Sequence, residues 1–366
     1  MEKKIVTKNK TNKKEVMEEI TSIAREIHKD ISKHKNPTVS MPLRSLSNVE
    51  YDPKEGFFEL KGKEKIRKLT ASTIKTFAQT LLLMNESRKL AKIKDTASKR
   101  EAYYISKNWG VAAFKEDAEA FTVMDDVEAM LQVNREQMGF IPEEKGGAVA
   151  GKLVIIDGND NIDCTKFGSG AYSIPSTVEH LKFNTSAKFI LVVETSALFQ
   201  RLNNHKYWDS SNCIIVAMGG VPTRATRRFV RRLADDKKLA VYVFTDGDPY
   251  GYLNIYRTFK VGSGNAAHIN EFFCVPQAEF LGVTPQDIID YKLPTHDLQE
   301  QDLKRIKDGI KNDPFVQHHK KWEKALEQMA KMKKRSEQQA FASSGLNYVL
   351  TDYLPNKLKD KSTWLP

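Results

Sequence analysis

Acidic side chains stand directly after two of the apolar segments of this 366-residue sequence. Residues 189–193 (FILVV) run into Glu194. Residues 241–245 (VYVFT) run into Asp246, and Asp248 stands two positions later. Both segments have the length and β-branched content of buried parallel strands. Because the carboxyl ends of parallel strands meet at one edge of a sheet, we expect the three carboxylates to lie together there.

The two aspartates have a spacing that suits a divalent metal ion. Gly247 between them lets the chain turn sharply, so that both carboxylates can face one point. Mg²⁺ prefers hard oxygen donors, taking one or two carboxylates and keeping waters or phosphate oxygens. A lone Asp-x-Asp pair is more often an ordinary turn. With Glu194 at the end of another strand, the pattern favours a Mg²⁺ site formed by Glu194, Asp246 and Asp248.

A second pattern pairs an arginine with a tyrosine on a predicted helix, where residues 100–106 read REAYYIS. Arg100 and Tyr104 are four positions apart and therefore lie on one helical face. An arginine beside a tyrosine hydroxyl stabilises the phenolate and can hold a phosphate through two N–H donors. Tyr103 points away from that face and is the natural packing residue. Adjacent tyrosines in a helix are usually packing residues, so this pattern alone does not establish catalysis.

Residues 223–232 (TRATRRFVRR) predict a strongly basic helix. Its arginines on one face are Arg224, Arg227, Arg228 and Arg231. One interpretation is a row of phosphate contacts to DNA, with an affinity that depends on salt and not on base sequence. The other is a solvated basic face. The sequence favours neither interpretation.

The arginine–tyrosine pair lies in a predicted helical domain. Residues 16–31 have the apolar spacing of an amphipathic helix, and so do residues 70–93, 98–108 and 116–133. A hairpin is predicted over residues 139–156, turning at Gly146 and Gly147. Three short helices followed by a hairpin are typical of a winged helix-turn-helix domain.

The acidic residues lie in a region with a different pattern. Buried-strand patterns are predicted at residues 153–156, 189–193, 213–218 and 239–244, with helices at residues 195–202, 223–234 and 250–259. Alternating strands and helices predict an open α/β sheet, whose reactive edge is at the carboxyl ends of the strands. A charged helical region follows over residues 297–332. The fold class is therefore mainly-α followed by α/β.

Composition narrows the class of protein. Lys and Arg number 58 against 47 Asp and Glu, a formal net charge of +11 that suits a polyanionic partner such as nucleic acid. The cysteines are few and widely spaced, which argues against a disulfide framework or a structural zinc site. The basic N-terminus lacks the apolar segment of a secretory signal, and no apolar run is long enough to span a membrane. We expect a soluble cytoplasmic protein.

A strand ending in Glu, with a later strand ending in Asp-x-Asp, resembles the Toprim pattern of topoisomerases, primases and some nucleases. The string TDGDPYG at residues 245–251 is similar to that of one family in particular, the A subunits of type IIB topoisomerases such as topoisomerase VI. Further matches are FLGVTPQDI at 280–288, EQQA at 337–340, GL at 345–346 and YLP at 353–355. The resemblance runs from about residue 70 to the C-terminus. It implies a CAP-like winged-helix domain followed by a Rossmann-like Toprim domain.

The resemblance also implies an activity and its participants. In that family the second tyrosine of the pair attacks DNA, which implies Tyr104 here, with Arg100 assisting. It implies Mg²⁺ held by Glu194, Asp246 and Asp248, and a homodimer that cuts double-stranded DNA. ATP would be bound by a separate GHKL-type ATPase B subunit in an A2B2 heterotetramer, because the phosphate-loop-like residues 146–153 lack the Ser or Thr that holds Mg²⁺. The implied setting is the nucleoid of an archaeal cytoplasm.

We therefore predict a basic tail and extension over residues 1–68, a winged-helix domain carrying the nucleophilic tyrosine over 69–148, and a Toprim metal-binding domain with a helical C-terminal extension over 149–366. Two alternatives use similar residues: a Toprim nuclease that activates water, and a break-forming transesterase without strand passage. A third alternative is a DNA-binding scaffold with a relict metal site, against which the intact acidic and Arg–Tyr sets argue. A covalent protein–DNA adduct separates tyrosine attack from water attack.

Overall fold

The computed structural model describes residues 13–142 and 146–366, which divide into two compact units. The helical unit contains residues 13–50, 59–142 and 264–269. The α/β unit contains residues 51–58, 146–263 and 270–366. Most of the predicted basic tail, residues 1–12, lies outside the described residues.

The helical unit begins with a long helix and carries further helical segments. The helices are α1 (Lys13–Ser32), α2 (Ile74–Ile93), α3 (Lys99–Ile105) and α4 (Asp117–Leu131), with 3-10 helices at Leu46–Asn48, Ser106–Ala112 and Gly264–Ile269. The first strands of the chain are β1 (Thr38–Pro42), β2 (Val49–Asp52), β3 (Phe57–Leu60), β4 (Glu64–Lys68), β5 (Ala97–Ser98) and β6 (Phe140–Ile141). The helices predicted over residues 16–31, 70–93 and 116–133 are confirmed within a few residues. The helix predicted over 98–108 is correct as α3 and continues as 3-10 helix.

The apolar face predicted for α1 is buried against the other helices. Val16 and Ile20 belong to the same core cluster as Leu83 of α2 and Met124 of α4. Ile27 packs in a second cluster, formed with Val39, Met41 and Phe77. The described part of the predicted extension, residues 13–68, is therefore largely one body with the helices that follow it, and the predicted boundary at residue 68 does not separate two units.

The predicted hairpin over residues 139–156 is wrong. β6 pairs in parallel with β5, and the segment after it, Ala148–Gly151, pairs with strands far along the chain. Gly147 lies so close to the backbone of β13 that no side chain would fit, since a Cβ built there would lie 1.9 Å from the Ala217 carbonyl oxygen. Its N–H donates to the Thr226 hydroxyl over 2.6 Å. The glycine at position 147 is needed for close packing and not for a turn, which is why the hairpin prediction is wrong.

The α/β unit contains the remaining strands and helices. The strands are β7 (Ala148–Gly151), β8 (Leu153–Asp157), β9 (Asp160–Asp163), β10 (Tyr172–Ser173), β11 (Lys182–Thr185), β12 (Phe189–Val193), β13 (Cys213–Ala217), β14 (Ala240–Phe244), β15 (Ala278–Gly282), β16 (His296–Asp297) and β17 (Lys334–Arg335). The helices are α5 (Ser196–Asn204), α6 (Tyr207–Ser210), α7 (Arg224–Lys237), α8 (Arg257–Lys260), α9 (Asn270–Phe273), α10 (Pro285–Asp290), α11 (Glu300–Asn312), α12 (Pro314–His318), α13 (Lys320–Met332) and α14 (Leu354–Lys359). Two π-helices, Gly251–Tyr256 and Val349–Tyr353, and 3-10 helices at Gln338–Ser344 and Lys361–Thr363 complete it.

The main sheet has the strand order β10-β7-β13-β12-β14-β15, and β13, β12, β14 and β15 are parallel. All residues of β13 are buried, as are most of β12, which explains their uninterrupted apolar sequences. The strands predicted at 189–193, 213–218 and 239–244 are confirmed. The strand predicted at 153–156 exists as β8, but it lies in a separate antiparallel sheet with β11 and β9. Its apolar run was read as a buried parallel strand, whereas its residues alternate between buried and partly buried positions.

The three cysteines, Cys164, Cys213 and Cys274, are buried free thiols. Burial raises the pKa of Cys164 to about 12, so that its thiol is unreactive at neutral pH. Among the described helices, none has the length and apolar character needed to cross a membrane.

Candidate active site

The carboxyl ends of β12 and β14 lie side by side, because the two strands are parallel neighbours. Their register pairs Val193 with Phe244, the last residue of each strand. The backbone N–H of Asp246 donates to the Glu194 carboxylate over 2.9 Å. The structure thus brings Glu194 and Asp246 together at the sheet edge where the sequence predicted them.

Asp248 is held by the turn that leads into the next helix. Its carboxylate accepts a hydrogen bond from the Gly251 N–H over 2.6 Å, at the start of the π-helix Gly251–Tyr256. The same turn passes close to another loop, since a Cβ built on Gly247 would lie 3.0 Å from the Val283 side chain. Glycine at position 247 therefore allows Asp246 and Asp248 to stand two residues apart on a tightly packed turn.

Burial makes these acids hard to ionise. It raises the pKa of Glu194 to about 8, and the charge of Asp246 adds to the rise. Burial also raises the pKa of Asp246 to about 6, although a hydrogen bond from the Gln338 backbone opposes the rise. The pKa of Asp248 is raised by burial as well. A bound cation would favour the ionised forms of these carboxyl groups and so oppose the rise in their pKa values.

The acids fit Mg²⁺ by their donor chemistry. Within residues 13–142 and 146–366, no three acidic, histidine or cysteine side chains are grouped closely enough to enclose an ion by themselves. Mg²⁺ does not need such an enclosure, because it keeps several waters and uses one or two carboxylates together with phosphate oxygens. Glu194 and Asp246, which lie side by side at the carboxyl ends of β12 and β14, provide such carboxylates.

A segment that the sequence did not mark as part of the site, residues 334–338, lies across the acidic edge. Its Ser336 exchanges two backbone hydrogen bonds with Gly247, at 2.8 and 3.2 Å. The Gln338 N–H donates to the Asp246 carboxylate over 2.8 Å, and its side-chain amide donates to the Phe244 carbonyl over 2.7 Å. Gln338 therefore fixes both the end of β14 and the orientation of Asp246. The sequence did contain a signal here, because residues 337–340 match the family, but that match assigned no role to Gln338.

Tyr104 lies on α3 with its side chain in solvent, 57% exposed. The helix begins at a capping box, in which Ser98 and Glu101 each accept a hydrogen bond from the backbone of the other. Tyr103 is partly buried, and its hydroxyl lies 3.4 Å from the Lys115 carbonyl oxygen. The two adjacent tyrosines therefore differ as predicted, one packed and the other accessible.

Arg100 is on the predicted face of α3, one turn before Tyr104. Its guanidinium lies 3.7 Å from the Asp117 carboxylate, and both side chains are largely exposed, at 57% and 40%. An exposed ion pair of this length contributes little free energy. The guanidinium can therefore exchange Asp117 for a phosphate at small cost.

The arginines predicted as a row on α7 are engaged within the α/β unit. Arg228 forms a two-bond ion pair with Glu179, at 2.6 and 3.0 Å, and donates to the Phe272 carbonyl over 3.0 Å. Arg231 donates to Asp235 and to the Cys274 carbonyl. The remaining two are Arg227, which donates to the Thr258 carbonyl, and Arg224, whose guanidinium lies 5.6 Å from the centre of the Phe273 ring. These contacts favour a packing role over either of the interpretations that the sequence left open.

Replacing Arg228 by alanine should therefore lower the free energy of unfolding by about 1–2 kcal/mol. Hydrogen bonds to charged groups contribute about 1.5–3 kcal/mol, and the exposure of Glu179 reduces that contribution. The salt dependence of DNA binding should stay unchanged. Urea unfolding and a salt titration of DNA affinity measure the two effects, and Glu179→Ala provides the double-mutant cycle. A salt slope reduced by about 0.9 at unchanged stability would instead assign Arg228 to a phosphate contact.

Three family models match consecutive parts of the chain. Residues 75–140 match the type IIB DNA topoisomerase model, and residues 143–187 match the all-beta domain in DNA topoisomerase VI alpha subunit. Residues 189–358, which include all three acids of the sheet edge, match the Toprim domain of Spo11 and of the topoisomerase 6 A subunit. These matches divide the region predicted as one domain, residues 149–366, near residue 188.

Proteins similar over nearly the whole chain carry one name, that of the A subunit of type 2 DNA topoisomerase 6. The Methanocaldococcus jannaschii protein is 53% identical over 353 residues, which cover 95% of this chain and 96% of the relative. The Pyrococcus abyssi protein is 36% identical over 363 residues, 94% of each chain. The Methanosarcina barkeri protein is 35% identical over 365 residues, 96% of this chain and 97% of the relative.

Proposed function

The chain belongs to the family of DNA topoisomerase 6 A subunits, and on this premise we propose which of its residues break and rejoin DNA. It is the catalytic, Toprim-containing subunit of a type IIB topoisomerase. One observation carries the residue assignment: Tyr104 presents its side chain to solvent, whereas the neighbouring Tyr103 packs against its own unit.

Tyr104 is the nucleophile of a reversible transesterification. Its hydroxyl oxygen bonds to a DNA phosphorus as the bond from that phosphorus to a deoxyribose oxygen breaks. The phenol loses its proton and the released sugar oxygen gains one, so the phosphodiester count is unchanged. The phosphotyrosine conserves the bond energy, and attack by the sugar hydroxyl reverses the step and reseals the strand.

Arg100 binds the phosphate that Tyr104 attacks. The two residues lie four positions apart on α3, and the guanidinium offers paired N–H donors to two phosphate oxygens. Its exposed contact with Asp117 is the one it would give up on binding DNA. The guanidinium thereby places positive charge beside the phosphate oxygens, on which negative charge develops in the phosphorane-like transition state.

Glu194, Asp246 and Asp248 are the residues that would hold Mg²⁺. When bound, the ion supplies positive charge that offsets the charge developing on the leaving oxygen. The chain's own contribution is to orient the carboxylates, which Gln338 does for Asp246 and Gly251 does for Asp248.

Each of the two units has a role in the reaction that follows from its secondary structure. The helical unit presents α3 to double-stranded DNA in the manner of a helix-turn-helix domain. The part of the α/β unit that matches the Toprim model, residues 189–358, is Rossmann-like, and its parallel strands β13, β12, β14 and β15 position the acids. The order of helices and the edge position of the acids support these assignments.

We further propose that two copies act together on DNA and join a separate GHKL-type ATPase B subunit in an A2B2 heterotetramer in an archaeal cytoplasm. The name shared by the relatives, which is that of one subunit, supports a partner chain. The phosphate-loop-like segment of this chain is used for packing, since Lys152 pairs with Asp209 at 3.0 Å and Leu153 is a buried strand residue. These contacts support an ATP site on another chain.

Trapping cleavage complexes with and without a co-purified ATPase subunit tests this proposal. We expect denaturant-resistant protein–DNA adducts that increase when the partner and ATP are present. The chain alone should hydrolyse no ATP above background, and Lys152→Ala should not change that result. Double-strand cleavage that leaves no protein on the DNA would instead support the water-using nuclease.

A further inference from the structure

An arginine at the acidic edge has no role in the mechanism so far. Arg335 is the last residue of β17, and it precedes Ser336, whose two backbone hydrogen bonds to Gly247 tie this part of the chain to the acidic turn. Its position is therefore fixed by the backbone of residues 334–338 and not by its side chain. The guanidinium lies 3.9 Å from the Asp248 carboxylate and 3.8 Å from the Asp302 carboxylate.

These two contacts leave the guanidinium with hydrogen-bonding capacity. Both distances exceed the range of an N–H···O hydrogen bond, and the side chain is 34% exposed. A guanidinium has five N–H donors in a planar arrangement. Arg335 is thus held near the acids by charge, and about a third of its side chain is exposed to solvent.

Each carboxylate near Arg335 also has a closer partner than Arg335. Asp302 accepts a capping hydrogen bond from the Gln299 N–H at 3.1 Å and is paired with Arg305 at 3.4 Å. Asp248 accepts from the Gly251 N–H at 2.6 Å. The neighbouring cations have closer partners: Lys334 lies 2.6 Å from Asp297, and Arg305 also lies over the Tyr250 ring.

An acidic edge that acts on DNA must also attract an anion. The carboxylates of Asp246 and Asp248, together with the exposed Glu337, repel a phosphate by charge. A guanidinium at this edge offsets that repulsion and can bind two phosphate oxygens at once. Arg335 is a partly exposed cation whose backbone is tied to the acidic turn itself.

We propose that Arg335 binds a phosphate of the DNA strand at the acidic edge, exchanging its long contacts to Asp248 and Asp302 for two hydrogen bonds to phosphate oxygens. This inference rests on the proposed function, because it assumes that the acidic edge faces DNA. Arg335 is thereby a second phosphate-binding arginine, carried by the α/β unit, while Arg100 is carried by the helical unit.

Arg335→Gln, Arg335→Lys and Arg305→Gln test the proposal, the last as a matched control that removes the other arginine contacting Asp302. DNA affinity is measured on a labelled duplex by fluorescence anisotropy over a series of salt concentrations in EDTA, so that no metal contributes. Arg335→Gln should reduce the slope of log affinity against log salt concentration by about 0.9 for each Arg335 side chain that contacts DNA, because that phosphate contact is lost. Arg335→Lys should keep the slope but form fewer adducts, since lysine cannot bind in the two-bond geometry. Arg305→Gln should leave the slope at the wild-type value.

An unchanged slope for Arg335→Gln would overturn the proposal and assign the residue to its ion pairs alone. The same conclusion holds if urea unfolding shows that Arg335→Gln does not fold, because a phosphate contact is not needed for folding. Adduct formation by the wild-type chain with its ATPase partner tests the proposed function independently of Arg335. If it forms adducts while the Arg335→Gln slope is unchanged, the proposed function stands and this inference fails. If it forms none, the proposed function fails whatever the slope shows.

Discussion

Replacing Tyr104 by phenylalanine should abolish covalent protein–DNA adducts while the fold and DNA binding persist. The substitution removes one oxygen from a side chain that is 57% exposed, so the free energy of unfolding should change by less than about 0.5 kcal/mol. The nucleophile, however, is gone, and adducts should fall below detection. The measurement is denaturant-resistant adduct on a radiolabelled duplex, with the ATPase partner present.

Tyr103→Phe is the matched control for this experiment. It removes the same atom one position earlier, where the hydroxyl makes a long contact of 3.4 Å to the Lys115 carbonyl. We expect adducts near the wild-type level and a stability loss of about 0.5 kcal/mol. Adducts from Tyr104→Phe, with none from Tyr103→Phe, would reverse the assignment within the pair. Undiminished DNA cleavage in both variants without adducts would point to attack by water.

Replacing Asp246 by asparagine should reduce cleavage by at least about 100-fold, which corresponds to about 2.7 kcal/mol of lost transition-state stabilisation. Asparagine keeps an oxygen that can accept from the Gln338 N–H, but it lacks the charge that binds a cation. DNA binding should be equal or tighter, because one negative charge near the DNA is removed. Cleavage and binding are measured on the same duplex, with and without Mg²⁺.

The stability of Asp246→Asn shows whether Asp246 serves to bind a metal ion or to stabilise the turn. The pKa of Asp246 is raised to about 6 by burial, so the folded wild-type protein holds this proton more tightly than the unfolded chain does. Stability is therefore lost as the pH rises from the ordinary aspartate pKa of 3.8 to about 6, and the uncharged asparagine avoids that loss. At pH 8 without metal, Asp246→Asn should unfold at a higher urea concentration than wild type. Asp297→Asn, an exposed acid paired with Lys334, serves as the control. Wild-type cleavage by Asp246→Asn would remove Asp246 from the metal site.

The acidic edge could be predicted from sequence because its signals are local. Glu194 directly follows β12 and Asp246 stands two residues beyond the end of β14, and parallel neighbours put such residues at the same edge. β12 and β14 have this relation, and the Asp246 N–H bonds to the Glu194 carboxylate. Helical spacing also placed Tyr103 and Tyr104 on different faces, whereas the choice of Tyr104 as the nucleophile came from the family resemblance.

The supports of the site could not be predicted because they come from distant parts of the chain. Gln338 orients Asp246 across 92 positions, and no local pattern records such a contact. The hairpin prediction failed for a related reason: Gly147 is a glycine because β13 passes close by, which only the tertiary structure shows. The α7 arginines share one face as predicted, yet their partners, such as Glu179, lie on other elements.

Mapping the amino acid that carries the DNA is the most direct test of the central claim that Tyr104 is the nucleophile. Trapped adducts are digested with nuclease and protease, and the modified peptide is fragmented by mass spectrometry. The peptide spanning residues 100–107 should carry a nucleotide on Tyr104, with Tyr103 unmodified. A nucleotide on Tyr103, or on a residue outside this peptide, would contradict the account.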